Sequence, residues 1–184
     1  MENLKDEELM EMFCNGNTHA FHLIYDRYKN RIFRFISNTY EKDRNSAEDC
    51  VQEVFIRLIK NKNTFNVSMR FPTWIYTVAR NICLNRIRAR AGLLHFELLD
   101  NDMPDKSDSS GKVVRQELYE IIRKAVSELP EKLKAVFIMR ELDEISYEDI
   151  AGIIGSNEGN IRTLFHRAKK ELQKIIKPYI EGEK

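Results

Sequence analysis

Ser146 to Leu172 reads SYEDIAGIIGSNEGNIRTLFHRAKKEL, and the order of its breaks and apolar positions decides the fold. An apolar segment runs from Ser146 to Ile154, and Gly155 is a suitable helix stop. Gly155-Ser156-Asn157 then separates it from a second helical segment, Glu158 to Lys177, which Asn157 is placed to cap. Two helices joined by so short a turn form a helix-turn-helix. In the second one, Ile161, Phe165, Ala168 and Leu172 recur with helical period and define the inner face. Asn160, Arg162, Thr163, His166, Arg167 and Lys170 are left pointing outward. A basic outer face on the second helix suits the major groove of duplex DNA. A solvated helix at the end of a bundle would show the same charge.

Upstream, two more helices are expected at Val113–Glu128 and Glu131–Leu142, with Pro130 suiting the second start. Before them, residues 100–111 are acidic, lack aromatics and include Pro104 and Gly111, the composition of a mobile linker. The N-terminal block carries four helical patterns. Asp6 can cap a short helix ending at Asn15-Gly16, and Thr18 a long one through Phe21, Tyr25, Tyr28, Ile32 and Phe35. Ser46-Ala47-Glu48-Asp49 has the form of a capping box for a helix to about Lys60. After a loop from Asn61 to Pro72, Thr73 opens a helix to about Arg90 buried through Ile75, Val78, Ala79 and Ile82. The expected fold is all-α: two small helical domains, residues 1–92 and 113–184, joined by a flexible linker at 93–112. Seven glycines, four prolines and 42% apolar residues in a 184-residue chain agree with helical cores.

Net charge is only +1, but it is unevenly distributed. No Asp or Glu occurs from Val54 to Phe96, where the chain average of 29 acids in 184 residues would place about seven. The stretch instead holds Arg57, Lys60, Lys62, Arg70, Arg80, Arg86, Arg88 and Arg90, interleaved with Phe65, Phe71, Trp74 and Tyr76. Cations for phosphates and ring faces for bases are what single-stranded nucleic acid requires. Trp74, Thr77, Asn81, Asn85 and Arg88 share one face of the helix, with no acid expected nearby.

Other chemistries find little support. Carboxylate pairs sit at helix starts or at surface spacing, and no Gly-rich phosphate loop, zinc spacing or nucleophile elbow occurs. Cys14, Cys50 and Cys83 are odd in number, far apart and on apolar stripes, so buried free thiols in a reducing compartment are expected. His19 and His22 lack further ligands nearby. The acidic N-terminus is no signal peptide, and no apolar run is long enough for a membrane span. A cytoplasmic protein without cofactor, metal, catalytic residue or small-molecule substrate is expected.

Several of these segments resemble the extracytoplasmic-function sigma factors of bacterial RNA polymerase. Ser46–Leu58 and Phe71–Asn81 are similar to the family's second conserved region. Leu129–Phe137 and the helix-turn-helix at Ile145–Ala151 and Glu158–Arg162 are similar to its fourth. The likeness runs in order from about Asp6 to Leu172. It implies that Asp49, Gln52, Glu53 and Ile56 dock on core RNA polymerase, since Cys50, Val51, Val54, Phe55 and Leu58 form the opposite, core face. It implies that Phe65, Trp74, Thr77, Arg80, Asn81, Asn85 and Arg88 read the −10 element as a separated strand, Phe65 and Asn81 helping to form a pocket for an extruded base. Asn160, Arg162, Thr163, His166, Arg167 and Lys170 would read the −35 duplex. Leu164 and Asn160 depart from the family, which often has Arg and Ser or Thr there, so the −35 sequence is left open. Promoter DNA, the polymerase core and an anti-sigma factor are the implied partners. A more distant rival, an RNA-binding structural protein, would use the acid-free stretch but not the helix-turn-helix; the chief rival is a helix-turn-helix regulator with an N-terminal sensing or dimerising domain. It would need no polymerase-docking face and would leave the acid-free stretch unexplained.

Overall fold

The computed structural model describes residues 4–62, 65–66, 69–94 and 113–180. Those residues are helical throughout their regular structure: α1 (Asp6–Cys14), α2 (Thr18–Thr39), α3 (Arg44–Lys60), α4 (Phe71–Leu94), α5 (Val113–Glu128), α6 (Glu131–Phe137), α7 (Tyr147–Ile154) and α8 (Glu158–Ile180). The expected flexible linker falls almost entirely outside the described residues.

Every expected helix is present, but several begin earlier than their local signals suggest. Asn17, not Thr18, caps α2, its side chain accepting from Ala20 N–H at 3.3 Å. Asp43 caps α3 one turn before the supposed box, accepting from Ser46 N–H at 2.7 Å. A carboxylate is the stronger acceptor at a positive helix end, and the Ser46 N–H and hydroxyl hold Asp43 below the usual carboxylate range. Asp6 does not cap α1; Lys5 occupies that position. Asp6 instead pairs with Arg27 and accepts from the Tyr28 hydroxyl, tying α1 to α2. The start of α4 at Phe71 has the same kind of cause. Phe71 N–H donates 2.9 Å to the Glu7 carboxylate of α1, a cap supplied from 64 residues away.

Helices α1 to α4 pack around Ile24, Tyr28, Ile32, Phe35, Val54 and Leu58, all essentially without exposed surface. Phe71 and Tyr76 of α4 complete this core, edge-on to Tyr28 and Phe35 at 5.0 and 5.1 Å. Cys50 and Cys83 are buried free thiols, as the apolar stripes indicated, whereas Cys14 is only half-buried and donates to Lys62 O at 2.9 Å. Burial pushes the Cys50 and Cys83 thiols above their ordinary range, so they are poor nucleophiles.

The second group centres on Val136, Ile138, Met139, Ile150, Ile161 and Ala168. The helix expected over Glu131–Leu142 divides: after Phe137 it widens into a π-helical turn, Ile138–Leu142. The Asp143 N–H bonds back to Ile138 O at 3.1 Å, and Glu144 takes a positive φ of 56°. This widened turn swings Asp143 toward α2, and its side chain is wholly buried there. The two groups pack α2 against α6 and α4 against α7.

Candidate nucleic-acid and polymerase-docking surfaces

The helix-turn-helix forms as its sequence indicates. Ser146 caps α7 by accepting from Asp149 N–H at 3.0 Å. Gly155 closes it in the left-handed region at φ 74°, where a side chain is disfavoured. Asn157 caps α8, accepting from Asn160 N–H at 2.8 Å. Ile161, Ala168 and Leu172 are buried, and Phe165 stacks on Phe137 at 6.2 Å. Asn160, Arg162, Thr163, His166, Arg167 and Lys170 are all exposed on the other side.

Not all of that row moves freely. Asn160 donates to Ser156 Oγ at 2.8 Å, and Thr163 Oγ1 donates to Gly159 O at 3.0 Å. Arg162 bonds Glu158 through Nε at 3.0 Å and lies 4.4 Å over the Tyr147 ring. Arg140 lies 4.6 Å over the same ring, so Tyr147 meets two guanidiniums. An open cavity lined by Tyr147, Arg162, His166, Lys169 and Lys170 runs beside α8. Sequence reasoning missed Tyr147, because only packing of α7 on α8 brings the ring to the basic row, and Lys169, which flanks that row on α8 itself.

On α3 the core face is as expected: Cys50, Val51, Val54, Phe55 and Leu58 are buried. Asp49, Gln52 and Ile56 are exposed, Ile56 by 48%. Ile59, 47% exposed and one turn on, extends this apolar patch and was not anticipated. Its i, i+3 spacing from Ile56 was the available signal. Glu53 departs from the expectation. It is half-buried, accepting from Arg57 at 2.7 Å and Arg86 at 3.2 Å, so it braces α3 against α4.

The acid-free stretch is less free of acids in space than in sequence. Glu53 occupies Arg57 and Arg86, and Glu41 holds Arg90 through two bonds of 2.6 and 3.0 Å. Asp149 of α7 meets Arg70 at 3.2 Å and accepts from Thr73 Oγ1 at 2.7 Å. Glu41 and Asp149 come from outside the stretch, and Glu53 stands immediately before it on α3, so the linear count showed only the i, i+4 pairing of Glu53 with Arg57. The aromatics are corrected too. Phe71 and Tyr76 are fully buried, and Phe65 is 8% exposed, edge-on to Trp74 and Phe71 at 5.9 Å each. They build the core instead of offering free faces, and only Trp74 is half-exposed.

A polar row does remain along α4. Asn81, Asn85 and Arg88 are exposed, Arg88 donating to Asn85 Oδ1 at 3.3 Å. Thr77 and Arg80 are half-buried, and Thr77 Oγ1 donates to Thr73 O at 2.7 Å. Seven residues separate Trp74 from Asn81, about 10 Å of helix rise. Phe65 touches the Trp74 end of this row, and its neighbours at 63–64 and 67–68 lie outside the described residues.

An all-α chain with a helix-turn-helix and a second four-helix group is the frame of a DNA-binding transcription protein, and comparison with known proteins gives the family. The Sigma-70 region 2 family model matches residues 24–92, and the Sigma-70, region 4 model matches residues 119–172. An ECF RNA polymerase sigma-E factor of Haemophilus influenzae is 30% identical over 96% of this chain and 98% of its own. The ECF RNA polymerase sigma factor SigW of Bacillus subtilis is 30% identical over 88% of this chain and 91% of its own. The chain belongs to the ECF sigma factors, the specificity subunits of transcription initiation. Among solved structures, RpoE in complex with the anti-sigma factor NepR from Bartonella quintana superposes with a TM-score of 0.70, at 22% identity, covering 85% of this chain and 96% of that one. CnrH in complex with the cytosolic domain of CnrY gives 0.68, at 16% identity, covering 94% and 97%. These two likenesses establish a shared fold.

No helix among the described residues is long and apolar enough to cross a membrane.

Proposed function

We propose that this sigma factor works in the cytoplasm as a subunit of RNA polymerase holoenzyme, with its surfaces divided by residue. Residues 1–92 dock on core polymerase and read the −10 element; residues 113–184 read the −35 element. On α3, Asp49, Gln52 and Ile56, joined by Ile59, form the docking face, and Glu53 positions it through Arg86. The −10 strand follows the row Trp74, Thr77, Asn81, Asn85 and Arg88, with Arg80 at its flank and Phe65 supporting Trp74 from behind. The −35 duplex is read by Asn160, Arg162, Thr163, His166, Arg167 and Lys170, with Leu164 offering an apolar contact to a thymine methyl. Chemistry is left to the polymerase, and an anti-sigma protein is the expected partner, as NepR is of RpoE.

The observation that carries this reading is the exposed Ile56–Ile59 pair on a helix whose other face is core. An apolar patch beside acids suits a protein partner; a regulator with a sensing domain has no need of it, and one with a dimerising domain would bury it against a second copy. Ile56→Asp is therefore expected to weaken binding to core polymerase with unchanged helical circular dichroism. Undiminished affinity in the folded variant would remove the docking assignment.

Duplex reading is tested separately. Arg162→Ala and Arg167→Ala are each expected to weaken promoter binding by about 1–3 kcal/mol where the arginine contacts a base. Loss of a phosphate contact would weaken all sequences alike and flatten the salt dependence. Core-polymerase binding is unaffected in either case. Wild-type promoter affinity in both variants would restrict α8 to a structural role.

A further inference from the structure

The connection from α3 to α4 carries Phe65 and leads into Trp74, and both of its ends are fastened to α1. At the first end the Lys62 carbonyl accepts from two donors, the Cys14 thiol at 2.9 Å and the Phe65 N–H at 3.3 Å. The ammonium of the same lysine stands 5.0 Å over the ring of Phe13, a cation–π contact with the residue before Cys14. At the second end the Glu7 carboxylate accepts from Phe71 N–H at 2.9 Å. Glu7 and Cys14 stand two turns apart on one face of α1.

The chemistry at the start of α4 explains why an outside acid serves there. Pro72 has no N–H to be satisfied, so Phe71 carries the first open donor of the helix. Arg70, whose carbonyl accepts from Trp74 N–H at 3.2 Å, brings a cation to the position where a capping oxygen is wanted. Glu7 supplies that oxygen from α1 and sets a negative charge at the positive end of α4. Helix α1 can act as the base for both contacts because it is pinned to the core. Leu9 and Met10 have no exposed surface, and Asp6 pairs with Arg27 and accepts from the Tyr28 hydroxyl of α2. Between the two fastenings, Phe65 meets Trp74 and Phe71 edge-on at 5.9 Å each, so a shift of either end moves this ring pair.

We propose that Glu7 and Cys14 are positioning residues for −10 reading: α1 fastens both ends of the 61–70 connection and thereby holds the Phe65–Trp74 pair where it discriminates among the bases of the separated strand. Neither residue needs to touch DNA. A wall fixed before the strand arrives does not have to be ordered by it, and small misplacements of such a wall cost selectivity. The proposal rests on the −10 assignment made above.

The test uses holoenzyme assembled from the full chain and core polymerase. It is offered fork templates whose only variable part is a short randomised non-template strand at the −10 position. Bound templates are sequenced, and the enrichment of favoured over disfavoured bases is scored. Glu7→Ala is expected to lower that enrichment about fivefold, the scale of one lost helix cap. Cys14→Ala is expected to lower it about twofold, because a thiol is a weaker donor. Glu7→Gln and Cys14→Ser keep an acceptor and a donor in place and are expected to restore most of the loss. Glu11→Ala, which removes an exposed acid from the same helix, is expected to match wild type. Enrichment is a ratio between templates, so a smaller folded fraction lowers total binding and leaves the ratio unchanged. Thermal unfolding of each variant verifies folding separately. Unchanged enrichment in folded Glu7→Ala or Cys14→Ala would remove that end of the fastening. An equal loss in Glu11→Ala, or no recovery in either conservative variant, would overturn the positioning role. A wild-type holoenzyme that enriches no base at all would instead remove the −10 assignment, and the positioning role with it.

Discussion

Asn81→Ala protein is expected to assemble with core polymerase and to occupy the closed promoter, yet to leave the −10 region double-stranded. Asn81 is exposed in the middle of the α4 row, facing away from a core that its neighbours Ile82 and Cys83 fill. Its replacement by alanine therefore costs little folding stability and exposes no buried partner. What it removes is an amide able to both donate to and accept from the edge of an unpaired base. Extracting a base from the stack costs a few kcal/mol, and bonds available only to the extracted base offset that cost. A lost hydrogen bond of about 1–2 kcal/mol shifts the opening equilibrium by roughly 5- to 30-fold. Permanganate reactivity of thymines across the start site measures it directly. A template with a pre-melted −10 bubble should recover transcription only in part, because base reading is lost together with melting. Normal opening by folded Asn81→Ala protein would show that the base-contacting assignment is wrong.

The largest effect on stability is expected three helical turns earlier, at Phe71. Its ring is fully buried and meets Tyr28, Phe65 and Trp74 at 5.0, 5.9 and 6.1 Å, and its N–H receives the Glu7 cap. Phe71→Ala is expected to cost about 3–5 kcal/mol, because the surrounding helices cannot close over the vacated volume. Against a typical total of about 5–15 kcal/mol, that lowers the thermal midpoint and every activity together. Phe65→Ala, at a site also almost fully buried, is expected to move in the same direction. Trp74→Ala removes a half-exposed ring, and promoter opening should suffer more than the midpoint does. Thermal unfolding of the three variants beside their core-polymerase affinities separates the roles. A Phe71→Ala midpoint close to wild type would contradict the packing at the start of α4.

Much of this protein was legible along the chain. The helix-turn-helix was set by short-range chemistry: Gly155 adopts the left-handed conformation its stop requires, Asn157 caps the next helix, and Ile161, Ala168 and Leu172 lie inward. Helical period likewise separated the buried Val51, Val54 and Leu58 from the exposed Gln52 and Ile56. Such features depend on residues within a turn or two of one another, so a linear pattern contains them. Residues distant in sequence decided the rest. Phe71 begins α4 because Glu7 reaches it from α1, and Asp6 pairs across to α2 instead of capping its own helix. The stretch without acids acquired Glu41 from the connection between α2 and α3, Glu53 from the residue just before it on α3, and Asp149 from α7, which converted several apparent phosphate ligands into structural pairs. Phe65, Phe71 and Tyr76 could have faced nucleic acid or core, and only the packing of α1, α2 and α4 turned them inward. Charge pairing and burial act through space between groups that composition and periodicity treat as independent, so the tertiary structure alone determined which cations and which rings remain available to DNA.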